Sequence, residues 1–235
     1  MVRLVPPALL AASALAGPAG ADGCRLALVL AIDVSSSVDA EEDRLQREGL
    51  ARALLAPEVV RAFLAGDPVA LHAFEWSGQR TQVPFWPGWV MVEDEPTLER
   101  LAATIAGSPR STDELPTAVG AALARGAIAL RDGPDCRART IDVAGDGFHN
   151  EGFGPDLAYR EFPFTGVTVN ALVIGGSDFE AELVRWFEAE VMRGPGAFVE
   201  VAEGYGDYAR AMERKLLREL GLPAVSGTPE GDDAG

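Results

Sequence analysis

Apolar residues in this chain form two kinds of run. One kind is short and bounded by turn residues: LALVLAI at 26–32, PVALHAFEW at 68–76, TIDVA at 140–144, GVTVNALVI at 166–174 and GPGAFVEVA at 194–202. Runs of this length, rich in Val, Ile and Leu, predict strands, and the unbroken ones predict strands buried on both faces. The other kind repeats at helical spacing. DAEEDRLQREGLARALL at 39–55, EPTLERLAATIAG at 95–107, TAVGAALARGAIAL at 117–130, SDFEAELVRWFEAEVM at 177–192 and YGDYARAMERKLLREL at 205–220 each predict a helix. Asp39 with Glu42 three residues on makes a capping-box-like start, and EVVRAFLAG continues past Pro57 as a second short piece. EGFGPDLAYREFPF at 151–164 reads as a loop plus a short helix.

Strands that alternate with helices predict an α/β fold: a doubly wound, mostly parallel six-stranded sheet with helices on both faces. The strand at 26–32 is expected in the middle, beside 140–144, because it is the most apolar. SGQRTQVPFWPGWVMV at 77–92 reads as a hairpin return to an edge strand, where Pro84 is tolerable. Trp76, Trp86 and Trp89 are expected to pack together over that edge, with a sugar-binding aromatic platform as the sharper alternative. No repeat and no long linker divides residues 22–220, and the Pro/Gly/acid-rich stretch 221–235 is expected to be a disordered acidic tail.

Composition narrows the partners. Among 235 residues, 36 are acidic and 20 basic, a formal net charge of −16. Nucleic acid is an unsuitable partner, since phosphate binding needs a basic stripe. Residues 1–21 read as a signal peptide: Arg3, a short apolar core, then the small-x-small pattern Ala19-Gly20-Ala21. That core is too short and broken to span a bilayer, and no later stretch is long enough. The mature protein is expected to be periplasmic or secreted. Cys24 raises a lipoprotein alternative in a poor lipid-attachment context. An even pair of cysteines in an exported chain favours a Cys24–Cys136 disulfide over two free thiols, because each precedes a strand predicted to neighbour the other.

The candidate chemistry lies where strands end. The run at 26–32 passes directly into Asp33, Ser35, Ser36 and Ser37. A spacing of two in an extended segment puts Asp33, Ser35 and Ser37 on one side, a half-shell of hard oxygen that suits Mg²⁺ or Mn²⁺. Taken alone, the stretch also fits a strand followed by a serine-rich helix cap. Asp146 follows the strand 140–144, and Thr117 opens a predicted helix. If the two strands are adjacent, their carboxylates are close enough to repel unless a cation, a proton or a base lies between them. Of basic residues, the two loops carry only His149.

Asp-x-Ser-x-Ser after the first buried strand, a Thr in Thr-x-x-Gly-x-Ala-Leu, and an Asp-Gly after a later strand resemble the metal-ion-dependent adhesion site of von Willebrand factor type A domains. LAIDVSSSVD, EEDRLQREGLARAL, DVAGDGFHNEG, TVNALVI, GPGAFVEVA and MERKLLREL together resemble one branch, an exported bacterial single-domain family of unknown function (DUF1194-like). The resemblance covers about residues 25–220. It implies that Ser35 and Ser37 bind the cation directly, Asp33 and Asp146 directly or through water, and that Thr117 or Thr112 completes the set. It also implies cation-dependent binding of a protein that offers a carboxylate, and no enzymatic activity. Ala144-Gly145 stand where many relatives place a hydroxyl residue nearby, which thins the groups behind the ligands.

Enzyme readings fare less well. The first turn lacks the glycines of a dinucleotide-binding loop, and no Gly-x-Ser-x-Gly elbow supports a serine hydrolase. A Mg-dependent phosphohydrolase is the remaining alternative, but Ser35 stands where its second acid belongs, and the only lysine is Lys215 in the last helix. His72 is expected in the core or at an edge. His149 lies beside the site, as a supporting contact or as a satisfied loop histidine.

Overall fold

A computed structural model describes residues 23–176 and 179–221. The proposed signal peptide and most of the acidic tail lie outside the described residues. The strand β1 (Leu26–Asp33) is central and parallel to β2 (Val69–Trp76) on one side and β5 (Ala138–Gly145) on the other. β6 (Val167–Ile174) and β7 (Val199–Ala202) extend the sheet in parallel beyond β5. β1 is buried along its whole length, which is why its sequence is a run and not an alternation.

The sheet is six strands wide but contains seven strands. Beyond β2, one edge position is shared by β3 (Gln82–Pro84) and β4 (Val90–Val92), both antiparallel to it. The single return strand expected from the sequence is split because the chain bends at 85–88, with Gly88 at φ +68°. The same bend separates the tryptophans. Trp76 and Trp89 lie on one face of the sheet, whereas Trp86 is in the core of the other. The expected tryptophan cluster is therefore not formed, and no three-tryptophan platform exists there.

Helices cover both faces. α1 (Ala40–Leu54), α2 (Pro57–Phe63), α3 (Glu95–Gly107) and α7 (Tyr208–Glu219) pack on the side of Leu26, Leu28, Leu30 and Ile32. α4 (Val119–Arg131), α5 (Pro155–Glu161) and α6 (Glu180–Trp186) pack on the side of Ala27, Val29 and Ala31. α6 continues through a widened π turn over Phe187–Val191. Gly126 lets α4 approach β5 closely: a β-carbon on it would come within 2.9 Å of the Ile141 side chain. Asp39 caps α1 through the backbone N–H groups of Glu41 and Glu42, and Glu42 reciprocates, a capping box.

The parallel register aligns Leu26 with Ala138, so Cys24 and Cys136, each two residues earlier, fall side by side. They form a disulfide with Cα atoms 4.7 Å apart, at the end of the sheet where β1 begins. His72 is buried in β2, its Nδ1 2.7 Å from the Gly88 carbonyl and its ring 5.5 Å from that of Trp89. Among the described residues no helix is long and apolar enough to cross a membrane.

Candidate metal centre

β1 and β5 release their last residues at the same edge of the sheet. Ile32 pairs with Ala144, so Asp33 ends one strand opposite Gly145 and Asp146 follows the other. The approach is close here: a β-carbon on Gly145 would stand 3.2 Å from Asp33 Oδ2. The hydroxyls join from two loops. Ser37 Oγ donates to Asp146 Oδ1 at 2.6 Å and lies 3.1 Å from Ser35 Oγ, which accepts from Thr117 Oγ1 at 3.2 Å. Thr117, Ser35, Ser37 and Asp146 thus form one chain of contacts. Asp33 joins it at Ser35, whose backbone N–H donates to Oδ1 at 2.7 Å.

All five residues named from the sequence are therefore gathered at this edge. Asp33, Ser35 and Thr117 form a buried floor, while Ser37 is exposed and Asp146 half-exposed at the rim. Of the two threonines named from the sequence, Thr117 joins this hydroxyl chain and Thr112 does not. Thr117 is not yet helical, since α4 starts at Val119. Asn150 fixes it instead, accepting the Thr117 N–H on Oδ1 at 2.8 Å and donating its own backbone N–H to the Thr117 carbonyl at 2.9 Å.

Asp33 Oδ2 is buried without a hydrogen-bond partner. Burial first, and the neighbouring Asp146 charge second, raise the Asp33 carboxyl to about 8, against the lowering effect of Ser35 and Arg110. An orphaned carboxylate oxygen beside a second carboxylate and three hydroxyls is a set of hard oxygen donors that a small divalent cation fits. Among the described residues no three His, Cys, Asp or Glu side chains gather as metal ligands; three of the five residues here offer hydroxyls instead.

Three supporting residues come from distant parts of the chain. Arg110 reaches from the loop after α3 and donates to the carbonyls of Val34, Ser35 and Val38 at 3.0, 2.9 and 2.8 Å. Gln46 on α1 donates to the Asp33 carbonyl at 2.8 Å. Tyr205, in the short 3₁₀ turn Tyr205–Asp207 before α7, donates its hydroxyl to Asp146 Oδ2 at 2.9 Å. Burial and the charges of Asp146 and Asp33 push the Tyr205 phenol up, so it stays protonated as a donor. These groups supply the support that Ala144 and Gly145 cannot. No local motif announces them; the glycines flanking Tyr205 are the only nearby signal. His149 lies in the loop after Asp146, facing Gly154, with Nδ1 buried and unpartnered. Lys215 is remote from this chemistry: it is fully buried between Asp142 and Glu219, at 2.7 and 2.6 Å.

The arrangement of a central β1, flanking β2 and β5, and an oxygen-rich loop at their ends is that of a von Willebrand factor type A fold. Solved structures agree. A von Willebrand factor type A protein from Catenulispora acidiphila superimposes with a TM-score of 0.60 at 16% identity, covering 84% of this chain and 43% of its own. The PilB minor pilin of Streptococcus sanguinis gives 0.61 at 12% identity, covering 88% and 64%. Proximal thread matrix protein 1 of the mussel byssus, in a form with a zinc-occupied metal-ion-dependent adhesion site, gives 0.57 at 16% identity, covering 84% and 48%. The chain spans less than two thirds of the length of each. No curated protein matches the sequence. Over residues 23–224 the chain matches the model of the family described as "Protein of unknown function (DUF1194)", and it belongs to that family.

Proposed function

We propose that Asp33, Ser35, Ser37, Thr117 and Asp146 hold one divalent cation, Mg²⁺ or Mn²⁺, and that the loaded site binds a protein partner through a carboxylate. The observation that carries this reading is Asp33 Oδ2, buried and unpartnered at the meeting point of two carboxylates and three hydroxyls. Two carboxylates and neutral hydroxyls balance the charge of a divalent cation. A near-neutral site of this kind leaves a position for an outside carboxylate, since Mg²⁺ takes about six oxygens. The zinc-occupied site in the mussel protein supports divalent binding on this fold. Residues 1–21 act as an export signal in this reading, and the Cys24–Cys136 disulfide supports a periplasmic or secreted location.

The role is binding, not turnover. A phosphohydrolase reading gains no lysine from the fold, because Lys215 is held by Asp142 and Glu219. Calorimetry with Mg²⁺ and Mn²⁺ tests the proposal. Wild type should bind one cation and folded Asp33→Ala should bind none. Equal, negligible heats for both proteins at millimolar cation would defeat it. Capture of a partner from periplasmic extract should then be lost on adding chelator.

A further inference from the structure

Both carboxylate oxygens of Asp146 have donors, and the two donors differ in kind. Oδ1 accepts from Ser37, a hydroxyl on an exposed loop that also belongs to the proposed cation shell. Oδ2 accepts from Tyr205, which lies outside that shell and is firmly held. The Tyr205 ring packs against the core formed by α1, α2, α3 and α7. Gly204 before it has φ +147°, a conformation that side-chain-bearing residues rarely adopt. The turn is closed by the Asp207 N–H to the Gly204 carbonyl at 3.0 Å, and α7 begins at once afterwards. The phenol is therefore presented from a fixed turn, and its hydrogen bond occupies Oδ2 whatever happens at Oδ1.

We infer that Tyr205 sets which divalent cation the site prefers, by leaving Asp146 a single oxygen to offer. This inference rests on the cation reading above. Ca²⁺ takes about six to eight oxygens and uses carboxylates through both oxygens, whereas Mg²⁺ takes about six, one per carboxylate, in a tighter octahedron. With Oδ2 committed to the phenol, Asp146 matches the second mode and not the first. Nor does the rest of the shell make up the deficit for Ca²⁺, because Asp33 Oδ1 is likewise committed, to the Ser35 N–H. Tyr205 is a positioning residue: it acts on the cation through Asp146.

The test compares Mg²⁺, Mn²⁺ and Ca²⁺ affinities by calorimetry on wild type and Tyr205→Phe, which keeps the packed ring and removes the donor. The expected result is a fall of roughly tenfold in the preference for Mg²⁺ over Ca²⁺, the size that a hydrogen bond to a charged group supplies. Mn²⁺, octahedral like Mg²⁺, should follow Mg²⁺. Gly204→Ala, which keeps the phenol but moves its turn, should shift the preference in the same direction. Unchanged ratios among the three cations, or equal losses for all three, would overturn the inference while leaving the cation site standing. If wild type binds none of them, the site reading itself fails and Tyr205 has nothing to select.

Discussion

Asp33 is the residue on which the electrostatics of this edge turn. Its carboxyl is fully buried, one oxygen is unpartnered, and burial together with Asp146 lifts it from an ordinary 3.8 to about 8. A carboxyl that binds its proton more tightly folded than unfolded stabilises the fold when protonated, so its contribution is lost as pH rises from about 4 to about 8. In chelator, wild type should lose stability relative to Asp33→Asn between pH 5 and pH 8, read by urea denaturation. A constant difference between the two proteins would contradict this. Saturating Mg²⁺ should flatten the wild-type dependence, because a cation replaces the proton between the carboxylates. Asp33, Ser35, Ser37 and Asp146 were legible because each stands at a strand end or just past one, and Thr117 because it precedes a helix. The extended spacing expected after Asp33 is instead a turn, closed by the Val38 N–H to the Ser35 carbonyl at 3.0 Å. Tyr205, Arg110 and Gln46 were not, because they reach the site from separate elements. Only the folded chain brings an arginine from after α3 onto the carbonyls of the loop after β1.

Among elements, that loop after β1 is the one whose shape the site requires. It is held from three directions. The Val34 N–H donates to the Trp76 carbonyl at 2.8 Å, and the Ser36 N–H to the Leu115 carbonyl at 2.8 Å. Arg110 binds three carbonyls of the same loop. Hydrogen bonds from a charged donor are worth about 1.5–3 kcal/mol each, although three on one guanidinium are not additive. Arg110→Ala should therefore weaken cation binding without touching a ligand, and lower the midpoint of thermal unfolding by several degrees; an unchanged Kd would mean that the loop keeps its shape unaided. Helices and central strands were readable here because burial on two faces, or on one stripe, writes itself into the sequence. The edge was not. A three-residue strand carries too few positions for a pattern, and the bend at 85–88, which splits β3 from β4 and sends Trp86 across the sheet, depends on tertiary packing.

At the scale of the whole molecule, the sheet separates stability from binding. The Cys24–Cys136 bridge ties β1 to β5 where both strands begin, and the five residues proposed to hold the cation lie where both end. The eight-residue strands between them hold the two regions about 25 Å apart, at about 3.3 Å per residue. The bridge spans 112 residues of sequence. In the chain-entropy model such a loop contributes up to about 4–5 kcal/mol, and usually less. The strand register is nonetheless fixed independently of the bridge, by a core on both faces and by the ladder between β1 and β5. The double variant Cys24→Ser/Cys136→Ser should consequently unfold at lower denaturant than wild type while binding Mg²⁺ with the same Kd, as long as it is folded. Denaturation and calorimetry on one preparation give both quantities. A loss of cation affinity in the folded variant would mean that the far end of β1 controls the geometry of Asp33, contrary to a rigid central sheet.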